Sequence, residues 1–203
     1  FDAAGNSATC DFTVTIIPFN PPDFTAGCPA DVGPVPADAD LCTADLIIPA
    51  PVISDLCGVG YTVTNSFNGT GNASGIYPVG ITTVTWTITP TLGAATTCTQ
   101  TVEVIDTQDP TITCPSPITQ TAGANECFVN NVVIPDPAYD DNCDVITLTW
   151  SYTDPDGDPH SSPATGINVV GGQTFETGVT TVTYIAFDAA GNSATCDFTV
   201  TII

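Results

Sequence analysis

Lysine and arginine are absent from the 203 residues of this sequence, and histidine occurs once. Twenty-two acidic residues therefore give a formal net charge of −22. Nucleic acids, phosphate ligands and anionic membranes are bound through cationic side chains, so this composition argues against all three as partners. The carboxylates have no Lys or Arg to pair with, so they must be solvated, cap turns or be neutralised by cations. A charge of one sign also favours solubility and keeps exposed strand edges apart.

Long apolar runs and helical periodicity are absent as well. No run approaches the roughly 18 residues of a transmembrane helix. The lack of such a run predicts no membrane span. The chain begins without a methionine or a visible secretory leader, so we expect an internal fragment. Hydrophobic residues make up 42% of the chain, which suffices for a core, and segments rich in Val, Ile and Thr predict an all-β fold. The predicted strands lie near residues 46–48, 60–64, 82–89, 97–104, 131–134, 146–152, 180–186 and 194–203.

Three aromatic residues lie within these predicted strands. Trp86 and Tyr184 occupy matching positions in penultimate strands, where an aromatic side chain normally fills the core. Trp150, in the segment ITLTWSY, could face either side of its strand, and we favour the core.

The 17-residue stretch FDAAGNSATCDFTVTII occurs twice without a difference, at residues 1–17 and 187–203. The offset is 186 residues, 187 minus 1, so the chain contains one period of a tandem repeat and the beginning of a second. A period of this length suits two domains of about 90 residues. We predict that residues 1–17 are the last turn and strand of the preceding repeat, or a donor strand. Domain A is then predicted at 18–106 and domain B at 107–203.

Residues 176–203, ETGVTTVTYIAFDAAGNSATCDFTVTII, resemble the C-terminal half of a hyalin repeat (HYR domain), whose pattern is roughly PxGxTTVTYTAxDxxGNxATCxFxVxV. Residues 77–104 resemble it less closely, since TPTLGA replaces DAAGN there. A proline-rich joint that ends in Cys-Pro follows the copy at 1–17, at residues 18–29, and the match at 77–104, at residues 106–115. HYR domains are immunoglobulin-like extracellular modules, so the resemblance implies two tandem β-sandwiches.

The sequence contains nine cysteines, and Cys10 is the repeat copy of Cys196. One period therefore holds eight cysteines, four in each predicted domain. No CxxC pair is present, which disfavours a zinc ribbon or a redox motif. Regularly spaced cysteines in even number predict a disulfide framework in an oxidising, extracellular location.

Four cysteines allow three connectivities, and their spacing does not choose among them. In the sandwich that the resemblance implies, the first cysteine opens strand A and the last follows the F–G turn, so both lie near one end. Some hyalin repeats also keep only this outer pair. The predicted disulfides are Cys28–Cys98 and Cys42–Cys57 in domain A and Cys114–Cys196 and Cys127–Cys143 in domain B, with Cys10 paired to a neighbouring repeat.

Two groups of acidic residues are candidate calcium sites, because calcium is bound by six to eight oxygens. The first is the DPDGD run that contains Asp154, Asp156 and Asp158, which is equally typical of a solvated hairpin turn. The second is expected where three loops of domain B meet beside the joint. Its members are Asp106, Asp109, Asp140, Asp141, Asp188 and Asn192, together with Asn142 in the same loop as Asp140 and Asp141. Asp and Asn that cap turns through backbone amides are the alternative for this second group.

Two further motifs are weaker. Asn68 in NGT and Asn72 in NAS are N-glycosylation sequons, although they lie in a loop whose composition makes chance matches common. His160 and Ser161 are adjacent, but no nucleophile elbow or third catalytic residue accompanies them. We therefore predict that the chain is not an enzyme.

The predicted function is structural: a repeat unit of a secreted filament, stalk or fibre, stabilised by disulfides and by calcium or glycans. Its partners are identical copies arranged head to tail. They are joined either in one long polypeptide or by donation of residues 1–17 to a neighbouring sheet. The alternative function is a calcium-dependent adhesion module that binds a glycan or a protein.

Overall fold

Alternation of apolar and polar residues creates the main strands. In the segment GVTTVTYIAFD, Val182, Tyr184 and Ala186 are fully buried while the residues between them are more exposed, as expected of a half-buried strand. The computed structural model of the protein describes residues 3–15, 21–24, 27–55 and 58–203. These residues contain seventeen strands and no helix, which confirms the all-β fold class. Within them, no helix has the length and apolar character needed to cross a membrane.

The strands are numbered in chain order. The first eight are Asp23–Phe24 (β1), Val32–Pro36 (β2), Thr43–Leu46 (β3), Ile53–Ser54 (β4), Tyr61–Asn65 (β5), Gly75–Pro78 (β6), Gly80–Pro90 (β7) and Thr96–Ile105 (β8). The other nine are Thr111–Thr113 (β9), Ile118–Gln120 (β10), Phe128–Val129 (β11), Ala138–Asp140 (β12), Val145–Thr153 (β13), Pro159–Ser161 (β14), Phe175–Glu176 (β15), Gly178–Asp188 (β16) and Ser193–Ile202 (β17).

The described residues divide into two units. The first is drawn from 1–29, 49–73 and 84–100, and the second from 30–48, 74–83 and 101–203. A four-stranded sheet has the order β2-β8-β7-β5. In the first unit, Trp86 is fully buried and its indole N–H donates to Gln100 Oε1 at 3.0 Å. The buried indole nitrogen is therefore satisfied.

The second unit contains a five-stranded sheet in the order β10-β17-β16-β13-β14. All of its pairings are antiparallel except that of β10 with β17. One face covers a continuous core. The buried members of this core are Val132, Ile134, Leu148, Trp150, Tyr152, Val170, Phe175, Val182, Tyr184, Ala186, Phe198, Val200 and Ile202. The aromatic positions predicted for the core, Trp86, Trp150 and Tyr184, are buried, which confirms those predictions.

The strand predicted near 131–134 does not form, although Val132 and Ile134 are buried. Val132 exchanges only two backbone hydrogen bonds, with the N–H of Gly172 and the carbonyl of Gln173. Pro135 follows at once and has no N–H to donate, so the ladder cannot extend.

The disulfides differ from the prediction at the inner pairs. Bonds join Cys28 to Cys98 and Cys114 to Cys196, the two outer pairs, each with Cα atoms 5.6 Å apart. A third bond joins Cys42 to Cys143, with Cα atoms 4.9 Å apart. The predicted pairs Cys42–Cys57 and Cys127–Cys143 are therefore wrong. Cys57 lies outside the described residues, and the thiols of Cys10 and Cys127 are free and exposed.

The inner pairing follows from loop contacts that sequence spacing does not reveal. The prediction treated each of the two predicted domains as closed on itself. In the second unit, the loop before β3 instead lies against the loop between β12 and β13. There the side-chain amide of Asn142 donates to the carbonyl of Leu41 at 2.9 Å. This contact places the neighbouring residues Cys42 and Cys143 within bonding distance of each other.

Candidate metal centre

Three carboxylates converge at one end of the five-stranded sheet of the second unit. Asp106 follows β8, Asp141 follows β12, and Asp188 is the last residue of β16. One carboxylate oxygen from each lies within 4.8 Å of the other two. Because all three segments end at this place, residues 35 and more apart in sequence become neighbours in a group that we call the acidic cluster.

Asp188 serves as a turn cap. Its Oδ1 accepts hydrogen bonds from the backbone N–H groups of Gly191 at 2.6 Å and Asn192 at 2.8 Å. Its Oδ2 accepts from Asn192 Nδ2 at 2.7 Å. The DAAGN turn thus satisfies this carboxylate locally, as the capping alternative proposed for these residues requires.

Asp106 and Asp141 are only half satisfied. Asp106 is 6% exposed; its Oδ1 accepts from the N–H of Gln108 at 3.1 Å and from Asn142 Nδ2 at 3.3 Å. The Oδ2 of Asp141 accepts from the N–H of Cys143 at 2.9 Å. The remaining oxygens, Asp106 Oδ2, Asp141 Oδ1 and Asn142 Oδ1, are buried without a hydrogen-bond partner. A buried acceptor left without a partner costs on the order of 1–3 kcal/mol.

The electrostatics of the acidic cluster are unfavourable without a cation. Desolvation raises the pKa of Asp141 above its ordinary value, and the N–H of Cys143 opposes that effect. The carboxylates of Asp106 and Asp188 raise the Asp141 pKa further by repulsion. The chain contains no Lys or Arg that can neutralise them.

A cleft of about 210 Å³ adjoins the acidic cluster, with which it shares Asp141. It is lined by Asp40, Gln108, Asp109, Thr111, Asp140, Asp141 and Asn142. Asp109 and Asp140, both predicted ligands, line this cleft and are not among the three clustered carboxylates. Sequence reasoning missed Asp40 and Gln108, which hydrogen-bond to each other: the Asp40 N–H donates to Gln108 Oε1 at 3.1 Å. They lie 68 residues apart, and no local pattern connects them.

The donor set fits a hard divalent cation. The unpartnered buried acceptors of Asp106, Asp141 and the adjacent Asn142 are carboxylate or amide oxygens, and calcium prefers such ligands at roughly 2.3–2.6 Å. A cation held by the three clustered carboxylates would meet Asp106 and Asp141, each of which keeps a buried oxygen without a partner. The Asp and Asn side chains in this region thus combine turn capping, at Asp188, with potential ligation, at Asp106 and Asp141.

The DPDGD run does not form a comparable group. It makes the turn between β13 and β14, where Asp154 Oδ1 accepts from the N–H of Asp158 at 2.8 Å. Asp154 Oδ2 contacts His160 Nε2 at 3.1 Å, and these two bonds hold the pKa of Asp154 below its usual value. Among the described residues, the acidic cluster is the only set of three His, Cys, Asp or Glu side chains with metal-binding spacing. Asp154, Asp156 and Asp158 are not brought together in this way.

The same turn contains the single histidine. The His160 ring stacks on Tyr152 with centroids 4.6 Å apart, and its Nε2 contacts Asp154. Ser161 is the last residue of β14 and pairs with Ser151 of β13. His160 thus packs as part of a hairpin.

The sequon loop is organised by a buried asparagine. The Nδ2 of Asn65 donates to Asn68 Oδ1, Thr70 O and Asn72 O at 2.7–2.9 Å. Its Oδ1 accepts from the N–H groups of Phe67 and Asn68. Asn68 and Asn72 are exposed, as glycosylated residues must be.

These features define a disulfide-bonded, all-β protein with a cluster of carboxylates between its loops. Residues 144–202 match the HYR domain family. The whole chain is 29% identical over 207 residues to hyalin of Lytechinus variegatus, and it spans 35% of that protein. It is 31% identical to hyalin of Strongylocentrotus purpuratus over 99% of its length, but spans only 15% of that relative.

The matches among solved structures are more distant. Human protocadherin-24 EC1-2 aligns with 91% of this chain and 99% of its own, at a TM-score of 0.40 and 13% identity. The immunoglobulin domains 1-4 of Sidekick-1 align with 90% of this chain and 49% of their own, at a TM-score of 0.43 and 14% identity.

The chain contains an HYR domain and is related to hyalin along its length, which confirms the family predicted from the sequence. With three disulfides, this relationship also confirms the predicted extracellular location.

Proposed function

We propose that the chain is one period of a structural, extracellular tandem array that forms a filament, stalk or fibre. The observation that carries this proposal is the contrast between two copies of one sequence. Phe198 of β17 is 4% exposed, whereas its copy Phe12 is 85% exposed. Val200 is fully buried and its copy Val14 is 69% exposed. Residues 3–15 contain no strand. Their exposed apolar side chains are therefore suited to pack in the sandwich of another repeat.

The repeats are joined in one polypeptide in the simpler version of this proposal. Residues 1–17 are a copy of 187–203, the segment that completes a repeat, and in this chain they are followed directly by the joint that begins at residue 18. One polypeptide therefore runs from the end of one repeat into the next. Donor-strand assembly requires an open sheet, but β17 already pairs with β16 over ten residues. We therefore favour the covalent array over donation of residues 1–17 between separate chains.

Denaturing gels of reduced native material test this proposal. A covalent array predicts a very large band or a ladder spaced by one period. A single band near 20.8 kDa, the mass of this chain, would overturn the covalent array. If such single chains nevertheless form filaments, the donor-strand version replaces it. If they remain dispersed, the calcium-dependent adhesion module becomes the better account.

We further propose that the acidic cluster binds calcium and that the ion stiffens the array. The support is the set of three buried oxygens without partners, on Asp106, Asp141 and Asn142. Asp106 ends predicted domain A, whereas Asp141 and Asn142 belong to predicted domain B. An ion held by all three resists bending at the joint, because bending would separate its ligands.

A further inference from the structure

Cys42 and Cys127 occupy equivalent places in the two halves of the period. Cys42 precedes the short strand β3, which pairs with β6, and β6 leads into the long strand β7. Cys127 precedes the short strand β11, which pairs with β15, and β15 leads into the long strand β16. The carbonyl of Cys42 accepts a hydrogen bond from the N–H of Val79 at 3.1 Å. The carbonyl of Cys127 accepts from the N–H of Thr177 at 2.8 Å. The backbone thus presents the two cysteines in the same way.

The two cysteines differ in oxidation state. Cys42 is bonded to Cys143, which is the third cysteine of predicted domain B. Cys127 is free and exposed. The sequence counterpart of Cys143 in predicted domain A is Cys57, since SDLC at 54–57 matches DDNC at 140–143. The second cysteine of one domain is therefore bonded to the third cysteine of the next domain, and Cys127 is the next second cysteine along the chain.

We propose that Cys127 forms a disulfide with the third cysteine of the domain that follows it, the copy of Cys57 in the next period. This inference rests on the proposed tandem array. Each joint of the array then carries one disulfide of the Cys42–Cys143 type. Two thiols lose their protons and two electrons as the S–S bond forms. The electrons reduce a disulfide oxidant, such as oxidised glutathione, to two thiols.

The joint between domain B of one period and domain A of the next lacks an acidic cluster. Cys98 and Cys196 differ by 98 positions, so Asp188 corresponds to residue 90, which is Pro90. By the same shift Asp106 corresponds to position 204, which is Pro18 of the next period because 204 minus 186 is 18. Only Asp55 retains the carboxylate of Asp141. The proposed disulfide is therefore the main cross-link at this joint. At the joint between domains A and B of one period, a disulfide and the proposed cation act together.

A two-period polypeptide tests the link, with residues 18–203 following directly after Ile203. Free thiols are alkylated with N-ethylmaleimide, and the protein is digested without reduction by a protease that cleaves after Asp and Glu. Mass spectrometry should then find a peptide that joins Cys127 to Cys57. Because both copies give the same peptides, Cys57→Ser is made separately in each copy. The substitution in the second copy should abolish the link, so that Cys127 is recovered only in its alkylated form.

The same substitution in the first copy is the matched control, and it should leave the link intact. Cys127 of the second copy has no following domain and is expected to be alkylated in every version. Absence of the Cys127–Cys57 peptide from the unmutated two-period protein, or a link that survives Cys57→Ser in the second copy, would overturn the proposal. In native material, a link between separate chains of about 20.8 kDa would support the disulfide while overturning the covalent array. The two proposals therefore fail separately.

Discussion

The side-chain amide of Asn142 donates a hydrogen bond to the backbone carbonyl of Leu41, although the two residues are 101 positions apart. The residues that follow them, Cys42 and Cys143, are joined by a disulfide. The same amide also donates to Asp106 of the acidic cluster. Covalent bond, hydrogen bonds and candidate metal ligands therefore meet at one place, and each can be removed separately.

Removal of the Cys42–Cys143 bond should destabilise the protein. The double variant Cys42→Ser, Cys143→Ser frees a long loop in the unfolded chain, and we expect the free energy of unfolding to fall by about 2–4 kcal/mol. Denaturant titration of the oxidised protein measures this change. Cys127→Ser is the control, because its exposed thiol has no disulfide partner and its loss should cost less than about 0.5 kcal/mol. Equal effects of the two changes would contradict the prediction.

Calcium should raise the melting temperature, and Asp141→Asn should abolish most of the rise. At a calcium concentration a hundredfold above the dissociation constant, binding stabilises by about 2.7 kcal/mol. For a chain of this size that corresponds to about 5–10 °C. The comparison is made by calorimetry in calcium and in chelator.

Asp144→Asn is the matched control for this experiment. Asp144 lies in the same loop, is exposed and has positive φ, a conformation that Asn tolerates. The substitution removes the same charge three residues from Asp141 and should leave the calcium response unchanged. Equal loss in both variants would indicate a nonspecific charge effect, and no calcium response in the parent protein would sink the proposed site. A response to magnesium equal to that to calcium would contradict calcium selectivity.

In chelator, the acidic cluster should make the protein less stable as pH rises. The Asp141 pKa is raised in the folded state, so between its ordinary value of 3.8 and the raised value the folded protein binds more protons than the unfolded chain. The contribution of Asp141 to stability is therefore present at low pH and lost as pH rises through the folded pKa. The difference in unfolding free energy between the parent and Asp141→Asn isolates this contribution and should decline over that window. A rising difference would contradict the assigned cause of the shift. Saturating calcium should remove the decline, because the ion stabilises the charged carboxylate.

The all-β fold, the core aromatics and the family were predictable because they depend on local alternation and on a long motif. The meeting of Asp106, Asp141 and Asp188 was anticipated for the same reason, since each follows or ends a strand in the sandwich that the motif implies. The Cys42–Cys143 bond was not, because the similar spacing of four cysteines in each half suggested closed domains. Nothing in the spacing reports that the loop at Leu41 touches the loop at Asn142.

The two acidic motifs also differ in what sequence reveals. Asp154 looked like a ligand, but its oxygens are used by the N–H of Asp158 and by His160 within one hairpin. Asp106 belongs to the group for which turn capping was the alternative, yet its buried Oδ2 has no partner. Whether a carboxylate is consumed locally depends on turn geometry, which alternate acidic residues do not specify.

Asn65→Asp should unfold the sequon loop locally and destabilise the protein. The new carboxylate cannot donate to Asn68 Oδ1 or to the carbonyls of Thr70 and Asn72, and it repels all three. We expect a loss on the order of 1–3 kcal/mol, measured by denaturant titration. Thr64→Val in the adjacent strand is the control, since that exposed side chain should tolerate replacement. A loss below about 0.5 kcal/mol for Asn65→Asp would contradict the role assigned to the buried amide.

Glycosylation of this loop is tested on the natural secreted material. An enzyme that removes N-glycans should lower the mass of peptides containing Asn68 or Asn72 by the mass of the glycan, and convert the modified asparagine to aspartate. An unchanged mass at both residues would remove glycans from the account while leaving the array unaffected.

The central claim is a head-to-tail array whose joints are held by disulfides and calcium. Electron microscopy of native material tests this claim most directly. Images are taken before treatment, after chelation, after reduction, and after both. The account predicts regular filaments with an axial repeat of two domains, which lose their stiffness when calcium and disulfides are both removed. Dispersed monomers or short rods before any treatment would contradict it.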